Sequence, residues 1–258
     1  MKIALAQTHI EWENKDLNLC NAENIIKNCS TEKVDLVLFP EMSFTGFSMN
    51  TDLTSEDSEY TIKQISKLAI ENNIYIGFGW VEDVGEKCKN QYTIIDKSGK
   101  ILSSYAKIHP FSYSGEDLKF VGGEDVSIFA IDNICFSNFI CYDLRFPEIF
   151  RTVADKVHSV IISACWPAKR SEHWKTLLRA RAIENQVYIF AINCVGDIGG
   201  LYYSGDSCVV NPNGEIVEML SGKEGIVIYE FIDNVLDYRK QFPVLRDRKE
   251  DLYQSLMI

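Results

Sequence analysis

The sequence of 258 residues contains no run that is both apolar and long enough to cross a bilayer. Its first residues, Met1-Lys2-Ile3-Ala4-Leu5-Ala6-Gln7-Thr8-His9, alternate like a strand and lack the apolar core and small-residue cleavage site of a secretory leader, so a cytoplasmic location is expected. Positive charge is in deficit. Lys and Arg number 26 against 37 Asp and Glu, a net charge of −11 that repels polyphosphate and removes the counterion-release drive for nucleic acid. The eight cysteines (20, 29, 88, 135, 141, 165, 194 and 208) include no Cys-x-x-Cys pair, so neither a zinc site nor any other metal or cofactor is expected. They read as reduced thiols, most of them, like Cys165 after Val160-Ile161-Ile162-Ser163-Ala164, behaving as small core hydrophobes. No Gly/Ser/Pro-rich linker, internal repeat or low-complexity block breaks the chain, which predicts one domain over 1–258. A charged C-terminal arm is expected from about residue 235, around Asp237-Tyr238-Arg239-Lys240-Gln241-Phe242-Pro243.

A composition 46% hydrophobic and 24% charged is that of an ordinary globular chain, long enough to bury a large core without disulfides or metal. Strand-like runs recur at 3–8, 34–39, 74–80, 91–95, 101–105, 126–131, 134–140, 159–164, 187–193, 206–211, 215–219 and 225–231. Asp96-Lys97-Ser98-Gly99, Asp132-Asn133 and Asn211-Pro212-Asn213-Gly214 link neighbouring runs as hairpins. Helical spacing joins Ala22, Ile25, Ile26 and Cys29, and again Ile62, Ile65 and Ala69. A further helix over 172–186 buries Trp174, Leu177, Leu178, Ala182 and Ile183, with Ser171 as N-cap. The pattern predicts a layered α/β protein, either one mixed sheet covered on both faces or two stacked sheets with helices outside.

Reactive residues directly follow apolar strands at three places: Glu41 after Val37-Leu38-Phe39-Pro40, Lys107 after Tyr105-Ala106, and Cys141 after Asn138-Phe139-Ile140. Strand ends meet at a sheet rim, where sites gather on layered α/β folds. Taken singly, a strand-end Glu or Lys is usually solvated and a cysteine after an apolar run is usually core. Cys141 differs from the other cysteines in the polar text that follows it, Tyr142-Asp143-Leu144-Arg145.

Phe39-Pro40-Glu41-Met42-Ser43-Phe44-Thr45-Gly46-Phe47, Tyr105-Ala106-Lys107-Ile108-His109-Pro110-Phe111 and Ile140-Cys141-Tyr142-Asp143-Leu144-Arg145-Phe146-Pro147-Glu148 resemble, in order and spacing, the three signature blocks of the nitrilase, or carbon-nitrogen hydrolase, superfamily. The resemblance continues through Trp166-Pro167-Ala168-Lys169-Arg170, Ala180-Arg181-Ala182-Ile183-Glu184-Asn185-Gln186, Gly205-Asp206-Ser207 and Pro212-Asn213-Gly214-Glu215. Within the superfamily, the text around Cys141, with Trp166-Pro167 and His173-Trp174, looks most like the omega-amidase branch, which hydrolyses 2-oxoglutaramate and 2-oxosuccinamate. The resemblance implies a four-layer α-β-β-α sandwich that forms a homodimer.

The resemblance also implies that Cys141 is the nucleophile, Glu41 the general base and Lys107 the cation beside a developing oxyanion, with Glu116 as a second glutamate orienting Lys107. A thiol is mostly protonated at neutral pH, so a carboxylate within reach must take its proton. Lys107 and the backbone N–H of Tyr142 would then face the oxyanion. Tyr142, Arg145, Phe44, Phe111 and Trp166 are candidate substrate contacts. For Arg145 two readings stand: a salt bridge to Asp143 or Glu148, or a paired grip on a substrate carboxylate. The rival enzymatic reading is a Cys-His pair using His109 or His173. Hydrolysis of N-carbamoyl amines or nitriles and a catalytically silent binding protein share the same fold.

Overall fold

The computed structural model describes residues 1–57 and 60–256; the last two residues of the expected arm lie outside them. The strands among the described residues are β1 (Lys2–Gln7), β2 (Leu36–Leu38), β3 (Tyr75–Asp83), β4 (Cys88–Ile95), β5 (Ile101–Ala106), β6 (Ile128–Ile131), β7 (Ile134–Ile140), β8 (Ser159–Ala164), β9 (Tyr188–Asn193), β10 (Val195–Ile198), β11 (Leu201–Val210), β12 (Ile216–Ser221) and β13 (Gly225–Glu230). The helices are α1 (Lys15–Thr31), α2 (Thr51–Thr54), α3 (Tyr60–Asn72), α4 (Glu116–Lys119), α5 (Pro147–Arg151), α6 (Ser171–Asn185), α7 (Val235–Gln241) and α8 (Glu250–Leu256). None of them is long and apolar enough to cross a membrane.

One sheet runs β13-β1-β2-β3-β4-β5, and the other runs β10-β11-β9-β8-β7-β6 with β12 on β11. The strand pattern left open one sheet or two; there are two, stacked face to face, as the family resemblance implies. Side-chain alternation explains the layering. Ile3, Leu5, Leu36 and Leu38 point into the core shared with Phe136, Ile140, Ile161 and Phe190 of the second sheet. Their neighbours Ala4, Ala6 and Val37 point outward onto Leu19, Ala22 and Ile26 of α1 and Ile65 and Leu68 of α3. On the opposite side Trp174, Leu178 and Ala182 of α6 close the second sheet. Together these layers make an α-β-β-α sandwich. All three predicted hairpins form, as β4/β5, β6/β7 and β11/β12.

Parallel pairing aligns strand ends. β1, β2 and β3 run parallel in one sheet, and β7, β8 and β9 in the other. Residues after β2, β7 and β8 therefore emerge at carboxyl strand ends, and β5, two antiparallel steps from β3, ends at the same rim as β2. Such rims are where open α/β sheets bind ligands.

Two local details depart from the sequence reading. Ser171 is the first residue of α6 rather than its cap, and its hydroxyl donates to Asp206 instead. The charged segment expected as an arm is tied down over its first turns. Val235 is fully buried, and Arg239 donates to the carbonyls of Ala154 at 2.7 Å and Val157 at 2.9 Å.

Candidate active site

Cys141 directly follows β7 and opens a short 3-10 turn with φ of +45°, the left-handed region in which a non-glycine residue is strained. Asp143 holds this turn. Its Oδ2 accepts from the Ile140 N–H at 3.1 Å and the Tyr105 hydroxyl at 2.7 Å, while Oδ1 accepts from the His109 N–H at 3.0 Å. The same Oδ1 lies 2.8 Å from His109 Nδ1, and the imidazole stacks on Phe146. Asp143 thus binds the turn of Cys141 to the loop of Lys107.

Glu41 lies in the turn after β2. Ser43 exchanges hydrogen bonds with Gly79 of β3, donating from its N–H at 3.0 Å and accepting at its Oγ at 2.9 Å. A Cβ on Gly79 would come within 2.3 Å of the Met42 nitrogen, so only glycine lets β3 approach this closely. The Glu41 carboxylate accepts from Lys107 Nζ at 2.8 Å and Asn90 Nδ2 at 2.8 Å on Oε1, and from the Cys165 N–H at 2.8 Å on Oε2. The Cys141 thiol donates to the carbonyl of the same Cys165, at 3.9 Å.

Lys107 follows β5, with its N–H on the Asn90 carbonyl. Its ammonium lies between two carboxylates, 2.8 Å from Glu41 and 2.8 Å from Glu116, and all three side chains are at most 1% exposed. Glu116 begins α4 and also accepts from the Phe111 N–H and, at 3.0 Å, from Asn90 Nδ2. The amide of Asn90, a residue the sequence reading passed over, therefore bridges both carboxylates.

These charges define the electrostatics. Burial works against the Lys107 ammonium, but Glu116 and Glu41 outweigh it and hold its pKa well above the ordinary lysine value. Burial, followed by the charge of Glu41, pushes the Cys141 thiol well above its ordinary value, with Lys107 opposing. The thiol is thus held in its protonated form, close enough to Glu41 to feel its charge.

Above Cys141 opens a cavity of about 300 Å³ lined by Trp12, Phe47, Met49, Lys107, Phe111, Ser114, Cys141, Tyr142, Arg145, Cys165, Trp166, Pro167, Arg170, Leu201 and Tyr203. Of the predicted contacts, Tyr142, Arg145, Phe111 and Trp166 line it. Phe44 does not: it packs against Phe39 and Phe78 beneath the outer face of the first sheet, and Phe47 reaches the cavity instead. Arg145 makes neither expected salt bridge. Its guanidinium lies 4.7 Å over the Trp166 ring and 3.3 Å from His173 Nδ1. His109 and His173 both lie outside the cavity lining: His109 is held by Asp143, and His173 lies beside the Arg145 guanidinium.

The comparisons agree with this geometry. The carbon-nitrogen hydrolase family model matches residues 2–239. The chain is 34% identical to 2-oxoglutaramate amidase of Bacillus subtilis (strain 168), over 97% of this chain and 98% of that protein. XC1258 from Xanthomonas campestris, a CN-hydrolase superfamily protein with an arsenic adduct in its active site, superposes with a TM-score of 0.91 at 27% identity, covering 96% of this chain and 97% of that one. A mutant amidase from Nesterenkonia sp. AN1, with the acetamide moiety of fluoroacetamide added covalently at its active-site cysteine, superposes with a TM-score of 0.88 at 25% identity, covering 99% of this chain and 96% of that one. Sequence blocks, sandwich and buried carboxylate-ammonium-thiol cluster converge on one assignment: this chain belongs to the carbon-nitrogen hydrolase family.

Proposed function

We propose that the chain hydrolyses the terminal amide of small carboxylate-bearing amides, 2-oxoglutaramate and 2-oxosuccinamate among them, to the acid and ammonia. The observation that carries this reading is the Glu41–Lys107–Glu116 cluster, joined through Cys165 to the Cys141 thiol, at the foot of a cavity whose charged lining is Lys107, Arg145 and Arg170. Glu41 takes the thiol proton as sulfur attacks the amide carbon. Lys107 and the Tyr142 N–H stabilise the charge that gathers on oxygen. The C–N bond then breaks, Glu41 returns the proton to the leaving nitrogen, and ammonia departs from a thioester on Cys141. Glu41 next activates water, which attacks the thioester and frees the acid and the thiol. Glu116 and Asn90 keep Lys107 and Glu41 in register throughout.

Arg145 binds the distal carboxylate in this reading, since a guanidinium offers paired donors in a plane. The kinship with 2-oxoglutaramate amidase supports the same substrate class. The protein acts as a homodimer in solution, a reading supported by the superfamily resemblance and by the exposed apolar side chains Leu252 and Leu256 on α8; sedimentation at micromolar concentration tests it. A release assay across ω-amides, N-carbamoyl amino acids and nitriles, with products identified by mass, tests the activity. Ammonia and dicarboxylate from the ω-amides are expected. Turnover confined to carbamoyl compounds or nitriles would replace this reading with one of those activities, and no turnover on any would leave a binding protein.

A further inference from the structure

Two guanidinium groups face the cavity, and one of them is enough to pair both oxygens of a single carboxylate. Arg145 and Arg170 both line it, no Asp or Glu does, and the partners of the two guanidinium groups among the described residues are His173 and the rings of Trp166 and Phe111. Lys107, the third cation, is occupied by Glu41 and Glu116. Trp166 ties the two arginines to one support. Its ring carries the Arg145 guanidinium at 4.7 Å, and its indole N–H donates to the Arg170 carbonyl at 2.8 Å. The Arg170 N–H is itself fixed on the Pro167 carbonyl at 3.0 Å, and its guanidinium lies 5.4 Å from the Phe111 ring centre, on the cavity wall. The two like charges feel one another: burial first, and then Arg170, holds Arg145 below its ordinary pKa.

We propose that Arg170 is a specificity-determining residue that engages the 2-oxo oxygen of a 2-oxo carboxylate whose carboxylate is held by Arg145. This rests on the amidase reading above and names the head group that its substrate carries. A plain carboxylate presents two acceptor oxygens, and one guanidinium pairs with both of them, leaving a second guanidinium only the outer lone pairs. The second, half-buried guanidinium then keeps donors free toward a cavity walled by Trp12, Phe47, Phe111 and Trp166. A ketone on the adjacent carbon supplies a third acceptor close to the plane of the first two. Two adjacent planar donors fit that group and leave the distal amide pointing at Cys141.

The test compares kcat/KM for 2-oxosuccinamate, succinamate and butyramide, which share a four-carbon chain and differ only at the acid end. For Arg170→Met the expected result is a loss of roughly 10–100-fold on 2-oxosuccinamate, the scale of a hydrogen bond to a charged group, with a much smaller loss on succinamate and none on butyramide. Arg145→Met is expected to fall on both carboxylates. Arg170→Lys, which keeps charge but not the planar fork, should recover only part of the preference. If Arg170→Met lowers all three alike, or leaves the ratio of 2-oxosuccinamate to succinamate as in the parent, Arg170 does not read the 2-oxo group, while a parent preference for succinamate over butyramide keeps the amidase reading intact. A parent enzyme that cleaves butyramide as well as succinamate overturns the carboxylate reading, and this inference with it.

Discussion

The backbone N–H of Cys165 donates to Glu41 Oε2 at 2.8 Å, joining residues 124 positions apart in the chain. A main-chain amide holds the carboxylate, whereas the Cys165 thiol donates to the Glu41 carbonyl, at 3.3 Å, and not to the carboxylate. Cys165→Ala is expected to keep most of the turnover and most of the rate of Cys141 alkylation at neutral pH. Glu41→Gln removes the proton acceptor and should slow alkylation by ~10²–10⁴-fold, the range of general base catalysis. Peptide mapping of a haloacetamide adduct reads both. Equal alkylation of parent and Glu41→Gln would mean that Glu41 does not activate the thiol.

Asn90 donates to Glu41 at 2.8 Å and to Glu116 at 3.0 Å through one nitrogen. Asn90→Ala takes a charge-assisted hydrogen bond from each carboxylate, worth about 1.5–3 kcal/mol apiece. The expected outcome is a kcat loss of roughly 10–100-fold with KM little changed. A rise in KM with kcat unchanged would contradict this role.

The cluster of Lys107 between Glu41 and Glu116 is buried, and its formal charge depends on the lysine. Lys107→Met leaves two carboxylates without their cation. Breaking a buried pair in this way costs about 3–5 kcal/mol. Urea unfolding is expected to show that loss, with activity abolished. Glu116→Gln leaves the Lys107–Glu41 pair whole and should destabilise less. Unchanged unfolding of Lys107→Met would argue that the three groups are not charged together in the folded protein.

Asp206 accepts from the hydroxyls of Ser171 and Ser204 at 2.7 Å and of Ser221 at 2.6 Å, and lies 3.7 Å from Lys175 Nζ. Burial opposes its charge, but the three hydroxyls and the ammonium prevail and depress its pKa below the ordinary 3.8. A depressed carboxyl contributes stability above its unfolded pKa and loses it as pH falls through the folded one. Asp206→Asn is therefore expected to destabilise at neutral pH, and the gap between the two proteins should close as pH falls below about 3.8. A gap that persists in acid would make the loss steric rather than electrostatic.

Local signals were legible in the sequence, and those that depend on distant segments were not. The β4/β5, β6/β7 and β11/β12 hairpins were readable because turn residues sit between runs that pair with each other. β10 was not, since its four residues include Gly196 and Asp197 and the strand exists only by pairing with the start of β11. Glu41, Lys107 and Cys141 stood out as reactive residues following strands. Asn90 lies inside β4, where an asparagine carries no outward sign of the two carboxylates it meets. Phe44 was misjudged because strand alternation does not extend into the turn after β2, so nothing local says whether Phe44 or Phe47 faces the cavity. Trp12 and Tyr203 reach the cavity from remote segments. A Cβ on Gly199 would lie 2.4 Å from the Trp12 ring, a contact that sequence spacing could not reveal.

A rapid acid quench during the first turnover on 2-oxosuccinamate, followed by peptide mapping, tests the central claim most directly. The account predicts one equivalent of ammonia per site released together with an acyl group on Cys141 that chases to the free acid, and none of either in Cys141→Ala. Ammonia released with the acyl group on another residue, or with no acyl group on the protein, would contradict it.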